Sequence, residues 1–143
     1  MGRPDTPASP PSFSHCPLDF TDPLTIDFSS VVDTPPMTVP LADYLDVLRA
    51  SFAGFAATHH AITGHVVEID GDSAKLHAHV RADHWLPDEL VDGGPNHWLV
   101  VGFYDNEAVR TADGWRFNRV KLTAAHQENP HLSGVAMEAA QAV

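Results

Sequence analysis

Between Thr58 and Ala125 the chain reads as a succession of long strands, with apolar and polar residues alternating most clearly over 58–69 and 74–85, separated by turn signals and one longer loop. A two-residue period is that of a β-strand, whose side chains point to opposite faces in turn. The spacing predicts strands over 61–69, 74–85, 97–110 and 115–123. Asp70-Gly71-Asp72 and Asp113-Gly114 mark tight turns, and Pro87 to Pro95 forms a loop carrying Gly93-Gly94. Long strands joined by short connections make an antiparallel meander. Upstream, Leu24-Thr25-Ile26-Asp27-Phe28 alternates as a short strand, and Val31 to Thr38 reads as a loop broken by Pro35-Pro36. Leu41, Tyr44, Leu45, Leu48 and Phe52 then recur at helical spacing behind Pro40, a residue at home in a first turn, and the helix ends near Gly54. The expected class is α+β: a mainly antiparallel sheet with one packed helix.

The 143 residues suffice for one domain. The expected division is a Pro-rich disordered leader over 1–19, a folded domain over 20–128 and a flexible or marginally helical tail over 129–143. The leader cannot bury enough apolar surface to offset its ordering entropy. Eight Lys+Arg against nineteen Asp+Glu give a net charge of −11, which argues against nucleic-acid and anionic-membrane partners. No apolar run approaches the roughly 18–20 residues that span a bilayer, and no secretory signal opens the chain. The lone Cys16 has no partner for an internal disulfide and fits a cytoplasmic location.

The even-numbered residues of 58–69, His60, Ile62, Gly64 and Val66, share a face by alternation. In the returning strand Leu76, Ala78, Val80, Ala82 and His84 share one, while Lys75, His77, His79, Arg81 and Asp83 face water. A three-residue loop pairing Asp70 with Ala74 sets His60 directly opposite His84, with Cβ atoms about 4.5–5.5 Å apart. A two-residue loop sets His60 against an outward residue, contrary to the hydrophobic pattern. Two core histidines bonded to carbonyls is the plain reading. Against it, Gly64, Ala78 and Ala82 leave room on this face, and two imidazoles in a buried site depress each other's protonation, providing a base near neutral pH. Phe28, Val80 and Trp98 are expected to line the pocket. A rival set, His65 opposite His79 with His77 beside it, offers three imidazoles for zinc or iron. No carboxylate follows at a cupin-like spacing and that face is solvated, so no metal is assigned. The glycine pairs carry no phosphate-binding pattern.

Several stretches together resemble SnoaL-like proteins of the nuclear transport factor 2-like superfamily. They are Phe20-Thr21-Asp22-Pro23, the run from Ala57 to Val67, Ile69 to Ala74, Arg81-Ala82-Asp83-His84, Val101-Gly102-Phe103-Tyr104, and Val109 to Phe117. The resemblance extends to about Leu122. It implies a cone-like half-barrel whose curved sheet wraps an apolar cavity, and a homodimer as a common assembly. It also implies kinship with scytalone dehydratase-like and bile-acid dehydratase-like lyases, polyketide cyclases and steroid isomerases. His60 and His84 match the histidine pair of the scytalone dehydratase-like branch, and Tyr104 matches a recurrent tyrosine. The implied function is a lyase or isomerase that needs no cofactor and acts on a small hydrophobic cyclic molecule; the alternative is a non-catalytic ligand-binding module of the same fold. Family members also begin with helices that cap the cone and supply an aspartate, often beside a tyrosine. Here the residues before Phe20 are proline-rich, Asp5 and Asp19 match no motif, and the direction of Asp27 is open. Either the cavity is open and the dehydratase chemistry is lost, or the recorded start of the chain is wrong.

Overall fold

Six strands and two α-helices, with a 3-10 turn at Asp88–Leu90, appear in the computed structural model, which describes residues 19–142. The leader up to Leu18, with Cys16, therefore lies outside the described residues. In order the elements are β1 (Phe20–Asp27), β2 (Met37–Val39), α1 (Leu41–Phe52), β3 (Ala57–Asp70), β4 (Ser73–Trp85), β5 (His97–Thr111), β6 (Gly114–Glu128) and α2 (Leu132–Gln141). The strands form one sheet in the order β2-β1-β6-β5-β4-β3. Its neighbours are antiparallel except for β1, which runs parallel to β6. The sheet is mixed and does not close, leaving β2 and β3 as free edges. Both helices lie on its inner side, consistent with the cone-like half-barrel that the resemblance implies.

β2 overlaps the end of the segment expected as a loop, at Met37 and Thr38. It is three residues long, bounded by prolines, and sits at the sheet edge, where proline costs no ladder bond. The Thr25 and Thr38 hydroxyls pair across it at 2.9 Å. Helix α1 starts as its spacing predicts, behind Pro40, with Leu41, Tyr44 and Leu45 buried. Pro40 offers no side-chain cap; the Asp22 carboxylate of β1 accepts the Leu41 N–H at 3.0 Å and satisfies one of the first-turn donors. α1 covers Leu24 and Val120, while α2 covers Val80, Ala82 and Val100 through Leu132 and Ala136. Tyr104 packs between the two groups. Burying Leu24, Leu86 and Val100 completely stabilises the fold by roughly 1.5–3 kcal/mol each. At Gly54 the end of α1 passes so close to the Ala136 carbonyl that any Cβ would collide with it.

The β3–β4 hairpin departs from the expected register in an instructive way. Asp70 pairs with Ser73, so the loop has two residues, Gly71 and Asp72, with Gly71 at φ +61. From Val66 to Asp70 this puts Val67 and Ile69, not Val66, on the face of Leu76. A bulge between Thr63 and Val66 then inserts an extra residue, with Gly64 at φ +65, and restores the even-numbered face for Thr58 to Thr63. Beyond it Thr58 pairs with His84 and His60 with Ala82. His60 and His84 thus share a face as expected but are diagonal neighbours, not direct partners. That face is also less covered than the alternation suggests. Every residue of β3 except Ala61 is exposed, including Ile62, Val67 and Ile69 on the inner side.

Candidate functional site

The inner face of the sheet, α1, α2 and the segment after β1 enclose an open cavity of about 300 Å³. His60 and His84 both reach it, with their Nε2 atoms 3.1 Å apart. His84 is buried, and its Nδ1 lies 3.1 Å from the carbonyl oxygen of Trp98, its partner residue on β5. A carbonyl only accepts, so Nδ1 carries the proton and Nε2 of neutral His84 holds a lone pair. His60 must then donate its Nε2–H to His84, which leaves His60 Nδ1 as the free base of the pair. The tautomers follow from one backbone carbonyl.

Aromatic rings set the electrostatics. Trp98 stacks on His84 with ring centroids 4.3 Å apart, Phe55 lies at 5.2 Å and Phe52 at 6.0 Å, and Phe52 also meets His60 edge-on at 5.8 Å. Desolvation by these neighbours pushes the His84 pKa down to about 4, the proximity of His60 adding to it against the opposing Trp98 carbonyl. His60 stands on the exposed edge strand, yet its partly withdrawn ring is also lowered, first by desolvation and then by neighbouring His59. Both imidazoles are neutral at pH 7. The Trp98 indole N–H donates to Gln127 Oε1 at 3.1 Å, so a side chain on β6 holds the ring that stacks on His84.

Of the other residues expected in the pocket, Phe28, Trp98 and Tyr104 line the cavity. Val80 does not: it is buried in the core under α2, and Ala82 takes the wall position. Burial pushes the Tyr104 hydroxyl pKa up, and that hydroxyl has no hydrogen-bond partner among the described residues. Asp27 lies on the opposite face from Ile26 and away from the cavity. Its carboxylate accepts the Ser29 hydroxyl at 2.6 Å, a bond that lowers its pKa, and Arg119 and Lys121 stand at 3.7 and 4.0 Å. Asp83, expected to face water, points outward but is buried under Arg81 and His97. Burial raises its pKa, and the hydrogen bonds from those two residues outweigh that and leave it lowered.

The rival histidine set is not assembled. His65 sits in the bulge, Thr63 rather than His65 pairs with His79, and His77 is bonded to Asp105 at 2.7 Å while stacking on Phe103. Among the described residues no group of three or more His, Cys, Asp or Glu could hold a metal ion. Phe52, Phe55 and Gln127 escaped the sequence reading. Phe52 carries helical spacing that reads as core, Phe55 stands one residue beyond the Gly54 crossing, and nothing in the sequence joins Gln127 to Trp98.

The comparisons with known proteins agree with this architecture. The SnoaL-like domain family matches residues 19–121. The crystal structure of the Kfla4162 protein from Kribbella flavida is 71% identical, covers 81% of this chain and 78% of its own, and superposes with a TM-score of 0.79. A proposed scytalone dehydratase from Novosphingobium aromaticivorans is 16% identical (TM-score 0.63; 77% of this chain and 68% of that one). Hexachlorocyclohexane dehydrochlorinase LinA-type3 from Novosphingobium barchaimii is 14% identical (TM-score 0.59; 77% and 70%). At those identities the likeness is one of fold. No curated protein matches the chain. No helix among the described residues is long and apolar enough to cross a membrane. With a family match over most of its length, an open cone-like sheet and a histidine pair at an apolar cavity, the chain belongs to the SnoaL-like domain family.

Proposed function

We propose that the protein is a lyase or isomerase that acts without a cofactor on a small, cyclic, hydrophobic molecule. The observation that carries this reading is the 3.1 Å His60–His84 pair at the cavity wall, anchored on the Trp98 carbonyl. His60 Nδ1 takes a proton from a carbon next to an electron-withdrawing group. The positive charge stays on His60, on the exposed edge strand, because burial holds the His84 pKa down at about 4; neutral His84 Nε2 accepts the His60 Nε2–H and stabilises the imidazolium. Returning the proton to a second carbon completes an isomerisation; delivering it to a departing hydroxyl releases water and completes an elimination. The Tyr104 hydroxyl, without a hydrogen-bond partner among the described residues, provides a donor for a substrate oxygen. Descriptions of fold relatives as dehydratase and dehydrochlorinase are consistent with elimination chemistry. The test is turnover of hydroxy-ketones and cyclic polyketides by the full chain. Activity that falls at least about a hundredfold in His60→Ala and His84→Ala supports the reading, on the usual scale of acid–base catalysis. Failure to convert any of the panel, or turnover indifferent to both substitutions, rejects it.

A second reading, a ligand-binding module without chemistry, is favoured by one feature: among the described residues no carboxylate lines the cavity. Ligand binding that persists in the double histidine variant, without turnover in the parent, identifies that case.

A further inference from the structure

The cavity has a mouth whose composition bears on what enters it. Among the described residues no Asp, Glu, Lys or Arg lines the walls. An ionised ligand would find no counter-charge among these mostly apolar walls and would lose hydration on entry without compensation. Three of the large hydrophobic residues exposed on the surface belong to this one cavity. They are Val32 after β1, Val47 on α1 and Met137 on α2, exposed to 39%, 55% and 39%. Val47 and Met137 continue the cavity-facing stripes of their helices, with Ser51 and Ser133 one turn away from each. A volume of about 300 Å³ is at the small end for ligand pockets, which run about 300–1,000 Å³. A single ring beside the histidine pair takes up to about half of it, since a cavity of about 150 Å³ already holds benzene. A substituent that outgrows the remaining space has to emerge between those three side chains.

We propose that the substrate is an uncharged ring bearing an apolar tail, and that Val32, Val47 and Met137 form the surface that reads the tail. The inference rests on the reading of this cavity as a small-molecule site, and the test separates the two. The probes are phenol and 4-ethyl-, 4-butyl- and 4-hexylphenol, titrated by calorimetry against the full chain near neutral pH, with 4-hexylbenzoate as the charged counterpart. Affinity should rise roughly three- to fourfold per methylene until the tail has passed the mouth, as burial of apolar surface requires. Val47→Asp, at the most exposed of the three positions, should shrink the hexylphenol-to-phenol affinity ratio at least tenfold, and 4-hexylbenzoate should bind far more weakly than 4-hexylphenol. Phenol that binds with no gain along the series overturns the tail-reading mouth and leaves the cavity reading intact. Benzoate that binds as well as the phenol overturns the requirement for a neutral ligand. No binding by any probe overturns both the inference and the small-molecule reading.

Discussion

His84 has the more strongly lowered pKa of the pair, but its chemistry is decided by the Trp98 carbonyl on its far side. Because that oxygen accepts only from an N–H, His84 is committed to the Nδ1–H form and His60 to the Nε2–H form. Nitrogen-15 chemical shifts and long-range couplings of the two rings at neutral pH should report those tautomers; the reverse pair would remove His60 Nδ1 as the base. The ring stack adds a second constraint. Trp98 can neither tilt nor withdraw without breaking its bond to Gln127, so the hydrophobic wall of His84 is itself held by a polar contact. The lowered pKa and the fixed tautomer have different origins: the first comes from apolar rings, the second from one backbone oxygen.

At the scale of elements, the bulge in β3 is the device that presents His60. A two-residue loop at Gly71-Asp72 and an unbroken ladder would turn His59 inward and His60 outward, since a slip of one residue reverses every side chain. The extra residue cancels that slip. Gly64 permits it because its φ of +65 is costly for any residue with a side chain, and a Cβ there would also press within 3.1 Å of the His79 ring. Gly64→Val should therefore destabilise the protein by about 1–3 kcal/mol in urea unfolding. It should also abolish the His60–His84 contact, observed as loss of ring-to-ring nuclear Overhauser effects. Stability and contact both unchanged would mean that the bulge does not set the register. α2 contributes at the same scale. By burying Leu132 and Ala136 under the sheet it closes one side of the cavity with residues from the segment after Asn129-Pro130.

For the whole molecule, the open sheet combines a well-packed region under the helices with a long uncovered edge at β3, and the histidine pair sits where the two meet. That position links folding to pH. The folded-state pKa values of His84 and His60 lie below their ordinary value of 6.5, that of His84 at about 4. A depressed histidine favours the neutral ring in the folded state, so its contribution is complete above 6.5 and is lost as pH falls from 6.5 towards 4, where the unfolded chain binds more protons. Asp27 and Asp83, lowered from 3.8, extend the loss further into acid. Urea midpoints should drop between about pH 7 and about pH 4.5, and His84→Asn should flatten that slope. A parent slope no steeper than the variant's would show that His84 is not the group responsible.

Motifs in order carried the resemblance to the family, and sequence periodicity determined the four long strands and helix α1, because each depends on local alternation. The three-residue strand β2 was invisible to it, having too few residues to show a period and two flanking prolines that read as loop. The diagonal placement of His60 and His84, the outward turn of Asp27 and the removal of Val80 from the pocket wall were decided in three dimensions. The first needed a bulge whose only local trace is one glycine; the others depended on the sheet's pairings and on which helix covers which strand. The aromatic cage and Gln127 likewise join residues far apart in the chain, and the fold alone sets distances of that kind.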